Sequence, residues 1–234
     1  MVLALDTAGE TAGAAVAVDG VVRAQCVAAS ASRHAERVMG LVEAVLAGAG
    51  VGKDALSCVA VSRGPGSFTG LRVGVATAKG LAVGLGLPAV GISTLRALAE
   101  GARPFPGRVV PVLDAKKRQV YGAAFDGISG EVVQEEGAWD PEALARGLAE
   151  GPAPCLFLGS GLRPYREVFA EALGSRFLAA PPERWAVPPA QIARLGHEEF
   201  VSGGAMEPAL LLPVYHRRSE AEEKRRSGAG ARAG

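Results

Sequence analysis

Residues 2–5 are continuously apolar and stop at Asp6-Thr7, which predicts a short buried strand ending in a polar turn. Residues 13–18 and 21–27 are two further strand-like runs, and Asp19-Gly20 between them is a tight-hairpin signal. Ser32 is a candidate cap for a helix on which Val38, Leu41, Val42, Val45, Leu46 and Ala49 recur at helical spacing, and residues 50–53 end it. Residues 56–62 predict a buried strand. A glycine-rich helix follows, then a strand over 88–92 and a helix from Ser93 to about Glu100.

Arg103-Pro-Phe-Pro-Gly107 interrupts this pattern, and the chain then starts again. Val110-Pro-Val-Leu-Asp114 echoes Val2-Leu-Ala-Leu-Asp6, residues 119–125 predict a strand, Asp126-Gly127 a hairpin turn and 131–134 the strand leaving it. The second aspartate follows the first at nearly the same distance in both halves, which is an internal-repeat signal. Helices are then predicted over 141–150, 163–173 and 189–200, strands over 154–159 and 177–179, and extended chain over 208–215. Three hairpin-joined strands followed by alternating helix and strand make an α/β layout. Its repetition predicts one domain over 1–102 and a related one over 103–218, with 219–234, charged and then Gly/Ala-rich, as a disordered tail. The layout resembles the duplicated, ribonuclease H-like architecture of the actin, Hsp70 and sugar-kinase (ASKHA) superfamily, in which ATP lies in the cleft between two domains.

The segment from Val61 to Gly80 is the most unusual in the chain. Gly64-Pro65-Gly66 is a turn, Ser67 or Thr69 can cap the helix running to about Val83, and Gly66, Gly70, Gly74 and Ala78 fall at four-residue spacing. Each interior glycine costs a helix about 1 kcal/mol relative to alanine, so a bare stripe implies close approach of another body. Spacing leaves three candidates open: another part of this chain, a phosphate at the helix N-terminus, or a helix of a partner protein. No Gly-Lys-Ser/Thr closes the segment, so it is not a Walker loop.

The chain has 234 residues, 49% of them hydrophobic, enough for one large core or two small ones. Its net charge is +1, and residues 217–234 hold six Arg/Lys against three Glu, so no global excess argues for nucleic-acid binding. Cys26, Cys58 and Cys155 are far apart and odd in number, which fits reduced core residues of a cytoplasmic protein and no metal or disulfide framework. No leader pattern or long apolar run predicts a membrane span. His34, His197 and His216 are scattered, and Ser62, Ser67 and Ser160 lack a nucleophile–base arrangement, so no residue is assigned to catalysis and none to a metal.

Asp6-Thr7 stands where an actin-like protein would hold nucleotide phosphate and Mg²⁺, and is the candidate cofactor contact; the alternative is an Asx-type turn closing a strand. Its counterpart, Asp114-Ala-Lys-Lys-Arg118, has no glycine or hydroxyl to wrap a phosphate and reads as a basic solvated turn. An actin-like ATPase or kinase using Asp6, Thr7 and Asp114 is the rival to the reading that follows.

Ser62-Arg-Gly-Pro-Gly-Ser-Phe-Thr-Gly-Leu-Arg-Val-Gly74 closely resembles the bacterial TsaB (YeaZ) family. So do Leu5-Asp6-Thr7, Arg33-His34-Ala35-Glu36, Ala78-Lys79-Gly80-Leu81, Gly91-Ile92-Ser93-Thr94-Leu95, Leu113-Asp114-Ala115, Val120-Tyr121 and Pro213-Val214-Tyr215-His216-Arg217-Arg218. The resemblance spans roughly residues 1–218 and departs from the family pattern at Gln119 and His216. It implies two actin-like domains and a non-catalytic subunit of the machinery that makes threonylcarbamoyladenosine on tRNAs reading ANN codons. The implied partners are a TsaD-type catalytic paralogue, a TsaE-type ATPase through the assembled complex, a second copy of the chain when alone, and tRNA indirectly. The implied contact uses the two helices of the first domain, outward through Arg33, His34, Arg37, Val38, Leu41, Gly70, Val73, Gly74 and Thr77. The paralogue carries a metal-binding His-x-x-x-His where this chain reads Ser93-Thr94-Leu95-Arg96-Ala97-Leu98. The resemblance therefore implies no transfer by this chain alone, no cofactor of its own, and ATP only in a cleft or shared with the partner complex.

Overall fold

A computed structural model describes residues 1–29 and 34–216. The first sheet contains β1 (Val2–Asp6), β2 (Thr11–Val18), β3 (Val21–Ala29), β4 (Cys58–Gly64) and β5 (Ala89–Ser93), in the order β3-β2-β1-β4-β5. The hairpin-linked pairs are antiparallel, and β1–β4 and β4–β5 are parallel. Asp19 (φ 49°) and Gly20 (φ 77°) both take the left-handed conformation that a two-residue type I′ hairpin requires. The second sheet contains β6 (Arg108–Lys116), β7 (Gln119–Asp126), β8 (Val132–Trp139), β9 (Cys155–Leu158) and β10 (Phe177–Ala179), ordered β10-β9-β6-β7-β8. Counted outward from β1 and from β6, the two sheets have the same order and the same strand senses. The repeat seen in the sequence is a repeat of topology.

Six α-helices cover these sheets among the described residues: α1 (His34–Ala49), α2 (Phe68–Leu85), α3 (Thr94–Glu100), α4 (Pro141–Ala149), α5 (Leu162–Leu173) and α6 (Pro189–Val201). Helices α1 and α2 bury Val38, Val42, Val45, Val75 and Ala78 against Leu3, Leu5, Val59 and Val61. Helices α4 and α5 bury Leu144, Leu148, Leu162 and Phe169 against Val110, Val112 and Phe157 of the second sheet.

The remaining two helices are exchanged. Helix α3 follows β5 and keeps Ala97 against Val90 and Ile92 of the first sheet, yet Leu95 and Leu98 pack against Val109, Leu113 and Phe125 of the second. Helix α6 follows β10, yet Ile192, Ala193 and Leu195 pack against Val2, Ala4, Ala15 and Ala60 of the first. The chain beyond α6 also returns to the first sheet. Met206 pairs with Ala89, Leu211 is fully buried there, and Val214 N–H donates to the Arg63 carbonyl at 2.7 Å. A single cut at 102/103 therefore does not separate the packing units, because residues 187–214 lie on the first one. Helical periodicity reveals that a helix has an apolar face, not which sheet covers it.

Where α3 and α6 cross, Glu100 is buried and accepts from Arg96 (3.1 Å) and Arg103 on its own side and from Arg194 of α6 (2.6 Å). Arg194 also pairs with Glu198 at 2.6 Å. A buried carboxylate holding three guanidiniums ties the exchanged helices together.

Candidate functional site

The site begins where β4 turns into α2. Ser67 caps the helix by accepting from Gly70 N–H at 3.2 Å, and Ser67 N–H donates to the Ala8 carbonyl at 2.8 Å. These bonds lay the first turns of α2 directly on the β1–β2 turn. A Cβ built at Gly66 would stand 2.5 Å from the Ala8 carbonyl oxygen, at Gly70 2.0 Å from the Thr7 carbonyl oxygen, and at Gly74 2.2 Å from Thr7 Oγ1. Thr7 Oγ1 donates to the Gly70 carbonyl at 2.7 Å. The body that approaches the glycine stripe is thus the chain's own Thr7-Ala8 segment, the first of the three candidates.

This geometry corrects four of the expected outward contacts. Gly70 and Gly74 face inward onto Thr7, and Val38 (0% exposed) and Leu41 (8%) are core residues. Val73 and Thr77 are half-buried, and Arg37 is exposed with Nη1 donating to the Ala29 carbonyl at 2.5 Å. Arg33 lies outside the described residues, as do Ser32 and 217–234; His34 is the first residue of α1. Helix α2 nevertheless carries a second stripe at the same spacing, Arg72, Ala76, Gly80 and Gly84, and all four are exposed. On α1, Gly40 and Ala44 are exposed as well. A Cβ at Gly40, Gly80 or Gly84 would meet nothing within 4 Å. Small outward residues exist, one helical face away from those the resemblance indicated. Sequence reasoning missed them because both stripes repeat every four residues.

Asp6 and Thr7 are 1% and 0% exposed, so neither presents a group to a phosphate, which corrects the expected cofactor contact. Ser62 Oγ donates to Asp6 Oδ1 at 2.5 Å and Ala8 N–H to the same oxygen at 3.2 Å, while Oδ2 is buried without a partner. Burial raises the Asp6 pKa from 3.8 to about 6, against the lowering effect of its hydrogen bonds. The Asx-type turn is the reading that fits.

The counterpart turn is open. Asp114 accepts from Lys116 N–H at 2.8 Å and pairs with Lys116 Nζ at 2.7 Å, and Lys116, Lys117 and Arg118 are exposed. Other polar contacts that no motif announced bridge the two halves. Glu10 of the β1–β2 turn pairs with Arg163 of α5, and Ser93 at the end of β5 donates to Glu136 of β8. Burial raises the Glu136 pKa, and His216 Nε2 stands 3.9 Å from its second oxygen. Among the described residues, no three His, Cys, Asp or Glu side chains are grouped to hold a metal ion, and no helix is long and apolar enough to cross a membrane.

Two sheets of identical order with exchanged inner helices place the chain in the actin-like class. The ROK hexokinase from Thermus thermophilus shares this fold with a TM-score of 0.50 at 13% identity, covering 87% of this chain and 99% of that one. Within that class the chain belongs to the TsaB family. It is 32% identical over 226 residues to the tRNA threonylcarbamoyladenosine biosynthesis protein TsaB of Bacillus subtilis (strain 168), covering 95% of this chain and 96% of that protein. YeaZ from Pseudomonas aeruginosa superposes with a TM-score of 0.77 at 28% identity, over 92% of this chain and 98% of that one. Residues 26–162 match the family described as TsaD: tRNA N6-adenosine threonylcarbamoyltransferase.

Proposed function

We propose that this chain is a cytoplasmic, non-catalytic subunit of the machinery that forms threonylcarbamoyladenosine on tRNA, acting by binding a TsaD-type catalytic paralogue. The observation that carries the non-catalytic reading is the plugged turn. Where an actin-like enzyme would hold nucleotide phosphates, Thr7 is bonded to Gly70 of α2 and Asp6 is buried and bonded to Ser62 and Ala8. The β5–α3 junction, Ser93-Thr94-Leu95-Arg96-Ala97-Leu98, offers no histidine in place of the paralogue's metal ligands. The same features set aside an ATPase or kinase.

Partner binding is supported by the outward small-residue face of α1 and α2, where Gly40, Ala44, Ala76 and Gly80 allow a second pair of helices to approach closely. In this reading the chain alone self-associates, a TsaE-type ATPase joins through the assembled complex, any ATP belongs to that complex, and tRNA reaches the chain within it. Reconstitution with the paralogue, a threonylcarbamoyl donor and an ANN-reading tRNA tests the proposal. The chain alone should give no modified adenosine and should raise the yield of the paralogue. Modification by the chain alone, or a paralogue indifferent to it, would overturn the reading.

A further inference from the structure

We propose that His216 and Glu136 form a proton-linked clasp that holds the segment after α6, residues 205–216, across both sheets. The segment is fastened to the first side along most of its length. Met206 exchanges two backbone bonds of 2.9 Å with Ala89 of β5, and the Ala209 carbonyl accepts from Lys79 Nζ of α2 at 3.0 Å. Leu211 is fully buried in the core of the first sheet, and Val214 N–H donates to the Arg63 carbonyl of β4 at 2.7 Å. The Tyr215 ring lies 4.9 Å from that of Phe68 at the start of α2. His216, one residue on, reaches the second sheet. Its ring centroid is 6.4 Å from that of Tyr121 on β7, and its Nε2 stands 3.9 Å from Glu136 Oε2 on β8.

The setting makes this last contact depend on a proton. The His216 and Glu136 side chains are only 22% and 23% exposed, and Nε2 is buried with no hydrogen-bond partner. At 3.9 Å the two atoms are too far apart for a hydrogen bond and close enough for an ion pair. A neutral ring gains little from the carboxylate, whereas an imidazolium gains an opposite charge. Glu136 is held in place by Ser93, whose Oγ donates to Oε1 while accepting from Arg96 N–H at the cap of α3. The other charges that act on Glu136 are Arg63 of β4, which favours the carboxylate, and Glu135 of its own strand, which opposes it. Arg217 and Arg218 follow in the chain outside the described residues, and arginine keeps its charge throughout the neutral range.

Protons favour the docked segment for two reasons of the same sign. Burial raises the Glu136 pKa, and lifting the segment off returns that carboxylate to water. Lifting it off also separates the carboxylate from His216. The docked pair therefore holds its protons more tightly than the released pair, and docking weakens as pH rises. The ordinary histidine value of about 6.5 places the change between about pH 6 and pH 8. Leu210, Leu212 and Tyr215 are exposed on this segment, so the clasp governs how firmly an apolar row is kept alongside α2.

Amide hydrogen exchange of the full chain tests the clasp, read by NMR at about pH 6 and pH 8 and corrected for intrinsic rates. The Val214 amide, bonded to Arg63, reports the segment. In the wild type its protection should fall about tenfold from the lower pH to the higher, the effect of about one pK unit. In His216→Leu and in Glu136→Gln the fall should shrink to less than about threefold, since half of the pair is gone. Asp6, His34 and His197 are common to all three proteins, so the comparison isolates the pair. Each protein is its own reference, so a loss of stability shared by both pH values leaves the ratio readable. Equal Val214 protection at the two pH values in the wild type, or a tenfold fall that persists in either variant, would overturn the proposal.

Discussion

Gly74→Ala is the sharpest probe of how α2 sits on the β1–β2 turn. The added methyl would stand 2.2 Å from Thr7 Oγ1 and 3.5 Å from its Cβ, so the hydroxyl is the obstacle and the rest of Thr7 is not. Overpacking of this kind costs about 1–3 kcal/mol. Displacing the hydroxyl also loses its 2.7 Å bond to the Gly70 carbonyl, worth about 1 kcal/mol. Against this, alanine favours the helix by about 1 kcal/mol. The balance is a net loss of about 2 kcal/mol, or roughly 6 °C in melting temperature for a chain of this size. Gly80→Ala is the control, since its methyl meets nothing within 4 Å, and it should gain about 0.5–1 kcal/mol. Urea melts followed by circular dichroism should further show that Thr7→Ala relieves the clash. In that background Gly74→Ala becomes neutral or favourable, a coupling of about 2 kcal/mol. If Gly74→Ala and Gly80→Ala behave alike in wild type, the stripe is not packed on Thr7.

Asp6→Asn tests the sealed carboxylate. Because the folded pKa, about 6, lies above the ordinary 3.8, the wild type is favoured below about pH 4 and loses stability as pH rises through 6. The variant should gain on the wild type by about 3 kcal/mol between pH 4 and 8, and a pH-independent difference in denaturation would refute the assignment. Glu100→Ala strands the guanidiniums of Arg96, Arg103 and Arg194 and should cost about 3 kcal/mol in urea unfolding; a loss under 1 kcal/mol would mean the exchanged helices are held by apolar packing alone. Gly80→Leu should leave the melt within about 0.5 kcal/mol of wild type and weaken association with the paralogue, and undiminished association would remove the outer α2 face from the contact.

The strand pattern was largely legible because strand signals are local. Continuous apolar runs marked β1 and β4, Asp19-Gly20 marked the first hairpin, and the echo of Val2–Asp6 in 110–114 announced the second sheet. Ser67 and Ser93 were legible as caps because capping is decided within three residues. What the sequence could not reveal is which way a four-residue stripe faces. Gly66-Gly70-Gly74 and Ala76-Gly80-Gly84 obey the same arithmetic, and only the turn at Thr7-Ala8 distinguishes them. The exchange of α3 and α6 was hidden for a related reason. The apolar faces of Leu95 and Leu98, and of Ile192 and Leu195, are equally compatible with either sheet. The approach of His216 to Glu136 was not legible, because it joins a strand and a segment far apart in sequence.

The central claim is a physical partnership, and sedimentation velocity of the chain with its TsaD-type paralogue tests it most directly. The account predicts a self-associated species for the chain alone that gives way, on mixing, to one containing both proteins. Two boundaries that sediment independently at every ratio would contradict it.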